Sequence, residues 1–318
     1  MEPAHRPAAV EEASPLQRAG HRARGGQRRD ALAATQGAGR RRGGPATRDR
    51  RATHPGGIPP HRQGSRARAR HRRTRALGRA VDVADRIFLE TTRRFAPARL
   101  AREDVSTALT LVQVEPGKPI ADLGCGYGRH LAAFVEQGHA HPLGVDRSAS
   151  LLDEARAQAP SAHLLRGDLR ALPLHAGSLA AAFCFYSSMF LGTHADAVAA
   201  LREAARVLRP GGGLVLTTDN PLRLAARPHL RYEEDVPGLG RIVEESEWDA
   251  KENVDRVRKT LRTPAGENLS ATFSIRYYAP PRLIELAGAA GFILRRLEPE
   301  SPLTEETLQL IALLEKVP

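Results

Sequence analysis

Three glycines at alternate positions form the most chemically specific stretch of the sequence. Residues 121–130 read Ala-Asp-Leu-Gly-Cys-Gly-Tyr-Gly-Arg-His, with Gly124, Gly126 and Gly128 directly after a short run typical of a buried strand. Glycine leaves the backbone without a side chain and free to adopt positive φ, so a flat or bulky ligand can lie against the main chain. The residues that follow have the apolar spacing of a helix, whose free amide groups would face the same crevice. The spacing therefore predicts a cofactor site at a strand–turn–helix junction.

Acidic residues follow the glycine turn at the ends of two further predicted strands. Asp146 ends the second strand, 18 positions after Gly128, and Asp168 and Leu169 follow the third. Ligands of open α/β sheets collect at the carboxyl ends of the strands. Residues 204–213, Ala-Ala-Arg-Val-Leu-Arg-Pro-Gly-Gly-Gly, then end a helix and lead into a fifth strand.

These four motifs, in this order, resemble those of class I S-adenosylmethionine (SAM)-dependent methyltransferases over about residues 100–220. The resemblance implies SAM as the cofactor, bound on the three glycines. It also implies that Asp146 accepts hydrogen bonds from the two ribose hydroxyls and that Asp168, with Leu169, lies beside the adenine. Asp122 either orients the glycine turn or lies near the methionine amino group, and Arg129 is placed to meet the methionine carboxylate.

A nicotinamide-dependent oxidoreductase is an alternative interpretation of the same turn. Dinucleotide-binding folds usually space their glycines G-x-G-x-x-G and place pyrophosphate at the start of the helix. The spacing here is G-x-G-x-G, and the Gly-Asp and Arg-Pro-Gly-Gly motifs follow it. These features favour SAM over NAD.

The alternation of elements predicts an α/β fold. Helical spacing covers residues 81–114, and apolar runs indicate strands near residues 142–145, 163–166, 180–186 and 214–218. Capping-box patterns at Ser150 and Thr193 predict two helix starts. Together with the resemblance, this implies a Rossmann-like, seven-stranded, mostly parallel sheet whose last strand is antiparallel, formed by residues 81–318.

The segment 222–275 interrupts the alternation. Residues 241–263 and 270–278 alternate weakly and are predicted to form antiparallel strands. The run from Ser274 to Phe292 is similar to a Tyr-Ser/Thr-Pro-x-x-Leu…Ala-Gly-Phe signature of bacterial small-molecule methyltransferases. The prediction is a small antiparallel cap over the active site; extra strands that extend the sheet edge are the alternative.

No residue pattern identifies a dedicated nucleophile or a metal site, and the two cysteines are expected to be free thiols. A sulfonium cofactor carries its own electrophile, so the protein needs mainly to orient and desolvate the reactants. The catalytic residue is therefore left unknown. Candidates for contacting the acceptor are Tyr186, His194, Asp219, Arg276 and Tyr277.

Residues 1–80 differ in composition from the rest of the chain. They contain 20 Arg, no Lys, five acidic residues and no aromatic residue, whereas the other 238 residues carry a net charge of −3. Such a segment cannot bury enough apolar surface to fold. We expect a disordered Arg-rich tail; an artefact of start-site choice and an arm for nucleic acid are the alternatives.

These observations together predict a cytoplasmic methyltransferase that acts on a small molecule. The first residues form no secretory signal, and no apolar run reaches the ~20 residues of a membrane span. A methyltransferase that uses the tail to bind RNA is the second hypothesis; nucleic acid is disfavoured because the folded region is slightly acidic and has no basic stripe. The sequence leaves the oligomeric state and the identity of the acceptor open.

Overall fold

Two β-sheets organise the chain in the computed structural model, which describes residues 83–93, 96–300 and 302–318. The predicted disordered tail, residues 1–80, lies outside these described residues. The described residues belong to one compact unit.

Helices and strands alternate through the first part of the chain, as the sequence predicts. The helical region expected over residues 81–114 forms two helices, and Pro97 is the N-cap residue of the second one. The elements are α1 (83–93), α2 (Ala98–Val112), β1 (Ile120–Leu123), α3 (Arg129–Glu136), β2 (Leu143–Asp146), α4 (Ala149–Gln158), β3 (His163–Arg166), β4 (Leu179–Cys184), α5 (His194–Val207) and β5 (Leu208–Asp219).

The remaining elements form a meander and then return to the first sheet. They are α6 (Pro221–Ala226), β6 (His229–Val236), β7 (Gly240–Asp249), β8 (Val254–Arg262), β9 (Asn268–Arg276), α7 (Pro280–Ala289), β10 (Phe292–Glu298) and β11 (Gln309–Lys316). The sequence did not predict α6 or β6. Asn220 caps α6 through a hydrogen bond from the Leu222 amide, with Pro221 at the first helical position.

The large sheet has seven strands in the order β3-β2-β1-β4-β5-β11-β10. Strands β1 to β5 pair parallel, and β11 runs antiparallel between β5 and β10. The predicted Rossmann-like fold with an antiparallel last strand is confirmed. The carboxyl ends of β1, β2, β4 and β5 therefore meet at one edge, where ligands of such sheets bind.

Helices cover both faces of this sheet. Leu201 of α5 and Leu286 of α7 pack on one face, and Val105 of α2 and Phe134 of α3 pack on the other. Every residue of β4 is buried as a result. Close packing of this kind fixes the backbone from which the site residues project.

The second sheet is an antiparallel meander in the order β6-β7-β8-β9. Helix α1 packs on one of its faces, where Ile87 contacts Ile242 and Leu261. Leu191, which follows β4, forms a bridge with Ile275 of β9, so this sheet is tied to the large sheet near its carboxyl edge.

Candidate functional site

The glycine turn is the tightest part of the candidate site. Gly124, Gly126 and Gly128 have φ values of +84°, +53° and +84°, a region that side chains disfavour. A Cβ on Gly124 would lie 2.7 Å from the Cβ of Ser188, and one on Gly128 would lie 2.9 Å from the Cβ of Ala155. The turn therefore passes between the loop after β4 and helix α4, and glycine is required there for packing as well as for a ligand.

Asp146, at the end of β2, lies directly beside the glycine turn. Its two carboxylate oxygens accept hydrogen bonds from the backbone amides of Gly126 and Ser148, each at 2.9 Å. Burial raises the pKa of this carboxyl, and the two amide donors oppose the rise. Each oxygen keeps a second lone pair, so the carboxylate can still accept from ribose hydroxyls. That role remains a prediction.

Asp122 and Arg129 flank the turn with unsatisfied polar atoms. Asp122 is 1% exposed, and its Oδ2 has no hydrogen-bond partner; Nη1 of Arg129 is also buried without one. Burial raises the pKa of Asp122 to about 7, and the nearby Arg129 guanidinium lowers it in part. Buried polar atoms normally have partners, so these two indicate a missing ligand.

Asp168 lies at the end of β3 but is already engaged by a neighbour. Arg170 donates hydrogen bonds to both of its oxygens, and this pairing lowers the pKa of the exposed Asp168 carboxyl. Leu169 lies near the turn, 3.8 Å from where a Cβ on Gly124 would stand. The predicted adenine contact of Asp168 would have to share the carboxylate with Arg170.

Tyr186 is joined to the cofactor side of the site. Its hydroxyl donates to Asp104 Oδ2 at 2.9 Å, and the guanidinium of Arg129 lies over its ring at 4.5 Å. His130 Nε2 is 3.3 Å from the same oxygen of Asp104. Burial and Arg129 lower the pKa of His130 to about 4, so its ring is neutral at physiological pH.

The backbone at Tyr186 and Ser187 is strained. Their φ values are +54° and +61°, and the loop is held by hydrogen bonds from both amides to Thr217, to its Oγ1 and its carbonyl oxygen respectively. Non-glycine residues in this region cost about 1–3 kcal/mol each and cluster at ligand sites.

Tyr277 is joined to the other side of the site. Its hydroxyl lies 3.4 Å from Oδ2 of Asp219, at the carboxyl end of β5, and its ring is 6.3 Å from that of Trp248 in β7. Tyr186 thus follows β4, and the hydroxyl of Tyr277, which follows β9, meets the end of the neighbouring strand β5.

The other two candidates have partners elsewhere. His194 Nδ1 is 3.0 Å from the Tyr278 hydroxyl at the start of α5. Arg276 binds the carbonyl oxygen and the carboxylate of Glu252 in the β7–β8 turn. The structure does not bring His194 or Arg276 together with Tyr186 or Tyr277.

Sequence patterns did not single out three residues that lie at or beside the site: Asp104, Trp248, and Asp255, which is directly opposite Trp248 in β8. Asp104 is one acid among several on a helix, and Asp255 lies in a charged segment, so no local spacing distinguishes them. Trp248 did carry a signal, because it is the single tryptophan of the chain and stands among charged residues. In the part of the chain that the structure describes, no cluster of His, Cys, Asp and Glu fits a metal ion, and no helix is long and apolar enough to cross a membrane.

The residues around the turn fit SAM. The unpartnered carboxylate of Asp122 suits an ammonium group, and the unpartnered Nη1 of Arg129 suits a carboxylate. Those are the two charged groups at the methionine end of SAM, and Asp146 accepts from the Gly126 amide beside them.

Comparison with known proteins agrees with this geometry. A family model described as a methyltransferase domain matches residues 120–212, from the start of β1 into β5. A malonyl-[acyl-carrier protein] O-methyltransferase of Serratia marcescens is 34% identical over 123 residues, which are 39% of this chain and 47% of that protein. A trans-aconitate 2-methyltransferase of Azoarcus is 35% identical over 152 residues, 48% of this chain and 54% of that protein.

Among solved structures, an S-adenosylmethionine-dependent methyltransferase from Clostridium acetobutylicum superposes with a TM-score of 0.61. The match covers 73% of this chain and 97% of that one at 13% identity, a level that shows a shared fold alone. The chain spans about half the length of the curated relatives it matches.

Proposed function

We infer that the chain transfers a methyl group from SAM to a small molecule, because residues 120–212 match a family model described as a methyltransferase domain and the partial relatives named above are methyltransferases. The observation that carries the proposal is the pair of buried, unpartnered groups on Asp122 and Arg129 beside the glycine turn. SAM would supply an electrophilic methyl group there. The residues around it would hold the cofactor, orient the acceptor and exclude water.

The acceptor half of the proposal rests on the second sheet. We propose that residues 222–275 cap the active site, as the sequence analysis expected. The Gly192 amide donates to the Ser274 carbonyl, and the Leu191–Ile275 bridge lies beside it, so the sheet begins and ends near the edge that holds Tyr186 and Asp219. A cap of this kind leaves room for a small acceptor and shields the transfer from water. The activities named for the two relatives, on malonyl-[acyl-carrier protein] and on trans-aconitate, support a metabolite-sized acceptor group.

Calorimetry tests the cofactor assignment. We expect SAM and its demethylated product to bind and NAD not to bind. Asp146→Ala should weaken SAM binding by about 1.5–3 kcal/mol, the typical contribution of a hydrogen bond to a charged group. Asp153→Ala, an exposed acid on the neighbouring helix α4, is the matched control and should leave the affinity unchanged. Tight NAD binding, or an unchanged Asp146→Ala affinity, would overturn the assignment.

A methyl-label assay on metabolite extract and on total RNA tests the acceptor assignment. Label should enter small molecules, and removal of residues 1–80 should not alter the rate. Label that enters RNA, and that depends on residues 1–80 in a salt-sensitive way, would favour the nucleic-acid hypothesis instead.

A further inference from the structure

One face of the second sheet carries buried charged residues, which an ordinary sheet core would lack. Strand register places Ile242 opposite Leu261, Glu244 opposite Lys259, and Trp248 opposite Asp255. All six are less than 9% exposed. Since directly opposed residues share a face, this face runs from an apolar end against α1, through a buried ion pair, to Trp248 and Asp255.

The Trp248 end of this face meets the carboxyl edge of the large sheet. The Trp248 ring packs with Tyr277 and Leu224, and the Tyr277 hydroxyl reaches Asp219. Burial raises the pKa of Asp219 to about 6, and the charge of Asp255 adds to this rise. Two carboxyl groups from different sheets therefore lie beside one aromatic pair, Trp248 and Tyr277.

The charged side chains near Trp248 and Tyr277 do not sum to zero. Glu244 is paired with Lys259 at 3.0 Å, and Arg223 offsets the charge of Asp219 in part. Asp255 accepts only a neutral hydroxyl hydrogen bond in the contacts that the structure gives it, from Ser246 at 2.5 Å. Among these residues one negative charge is left over, and burying an uncompensated charge is costly.

Trp248 provides a second, independent sign of a ligand. The residue is 8% exposed, and its indole Nε1 is buried with no hydrogen-bond acceptor. An indole N–H can only donate, so the missing partner carries an acceptor atom such as a hydroxyl oxygen. The aromatic faces of Trp248 and Tyr277 also suit a cation.

We propose that the methyl acceptor is a small hydroxylated amine, bound between Asp219, Asp255 and Trp248. The ammonium group supplies the missing positive charge, and a hydroxyl oxygen accepts from Trp248 Nε1. A carboxylate acceptor would instead meet the charges of Asp219 and Asp255. This inference rests on the proposed function and specifies its substrate class.

Asp219 can take up the proton that the amine must lose before methyl transfer. The bound ammonium gives one proton to the Asp219 carboxylate, which exposes the nitrogen lone pair. The nitrogen then forms a bond to the methyl carbon of SAM as the carbon–sulfur bond breaks, and the bonding pair stays on sulfur. Asp219 releases its proton to solvent after the methylated ammonium leaves.

Trp248 supplies a binding readout that needs no turnover, because it is the only tryptophan in the chain. With the demethylated cofactor bound, its fluorescence is titrated with glucosamine and ethanolamine, and with glucose and glucuronic acid as neutral and anionic counterparts. At millimolar concentration the amines should give a saturable change and the other two should not. Equal or tighter binding of glucose or glucuronic acid, or no response to either amine, would overturn the proposal.

Variants locate the interaction. Asp255→Asn should weaken amine binding at least about tenfold, since a buried charge pair loses one partner. Glu247→Gln, which removes an exposed carboxylate from the neighbouring strand, is the matched control and should leave amine binding unchanged. Asp219→Asn removes the other carboxylate, which lies on the large sheet. It tests the proposed amine site even if the Asp255→Asn variant is unstable. SAM affinity should stay within about twofold in all three variants, and unaltered amine binding in both aspartate variants would contradict the assignment.

A second experiment measures transfer of labelled methyl groups into metabolite extract. The labelled products are then separated on a cation exchanger. Label retained as cationic small molecules supports the amine class, and label confined to neutral or anionic molecules overturns it. Absence of SAM binding or of label in every fraction would instead count against the proposed function itself.

Discussion

The two sheets of this protein bury different kinds of side chain. In the seven-stranded sheet the central strand β4 is apolar and buried throughout, whereas the second sheet buries Glu244, Lys259 and Asp255 on one face. Apolar packing on both faces stabilises the first sheet, and apolar side chains need no hydrogen-bond or charge partner when buried. Buried charges rarely stabilise a fold better than apolar residues of the same size would. The first sheet is therefore stabilised by apolar burial, whereas the buried charges of the second sheet agree with the amine site proposed above.

The two halves of the candidate site also differ, in how far apart in the sequence their residues lie. The cofactor half is assembled from the ends of β1 and β2 and the turn between β1 and α3, which are close in sequence. The acceptor half combines β5, β7, β8 and the residue after β9, which pack together only through long-range pairing. Substitutions should therefore affect the two halves separately.

The largest effect should come from breaking the buried ion pair of the second sheet. Lys259→Met leaves Glu244 buried without its partner, which should lower the free energy of unfolding by about 3–5 kcal/mol. Chemical denaturation measures the loss, and the double variant Glu244→Leu with Lys259→Met should recover most of it. SAM affinity measured under folded conditions should stay within a few-fold. A Lys259→Met variant that loses SAM binding while folded would show that the two halves are not separable.

A smaller effect is expected from the glycine turn, in the cofactor half. Gly128→Ala should lose about 1–2 kcal/mol to left-handed backbone and a further ~1–3 kcal/mol to the contact with Ala155. Gly177→Ala is the matched control, because Gly177 also has positive φ but open space around it, so only the first loss applies. Urea denaturation compares the two. Equal losses at both positions would mean that the turn relaxes away from α4.

The smallest effect is a pH dependence of cofactor binding. Burial raises the pKa of Asp122 from 3.8 to about 7, and the methionine ammonium needs the ionised form. SAM binding must then release a proton below pH 7, so affinity should fall as the pH falls, by up to about tenfold per pH unit. Calorimetry in buffers of different ionisation enthalpy counts the proton.

Asp122→Asn is the control for this linkage, since it cannot ionise and should flatten the pH profile. The sign for stability of the free protein is the reverse. The folded state binds the extra proton between pH 3.8 and about 7, so the contribution of Asp122 to the free energy of unfolding falls as the pH rises through that window. A binding profile that keeps its slope in Asp122→Asn would assign the proton to another group.

Local sequence patterns predicted one of the two capping boxes correctly. The capping box at Thr193 is confirmed, with both reciprocal hydrogen bonds to Asp196. The capping box at Ser150 is wrong: Ser148 caps α4, and the Ser150 hydroxyl donates instead to Asp85 in α1. Two serines near one helix start look alike in sequence, and a distant helix decides which of them caps it.

The sequence by itself determined the glycine turn, the acid that ends β2, and the alternation of strands and helices. These depend on backbone conformations and hydrophobic periods that neighbouring residues specify. Only the tertiary structure decided that Tyr277 meets Asp219, that Arg276 binds Glu252, and that Trp248 and Asp255 lie opposite each other on one face of the second sheet. The register of four paired strands sets those contacts, and register arises from the packing of a whole face rather than from any short stretch of residues.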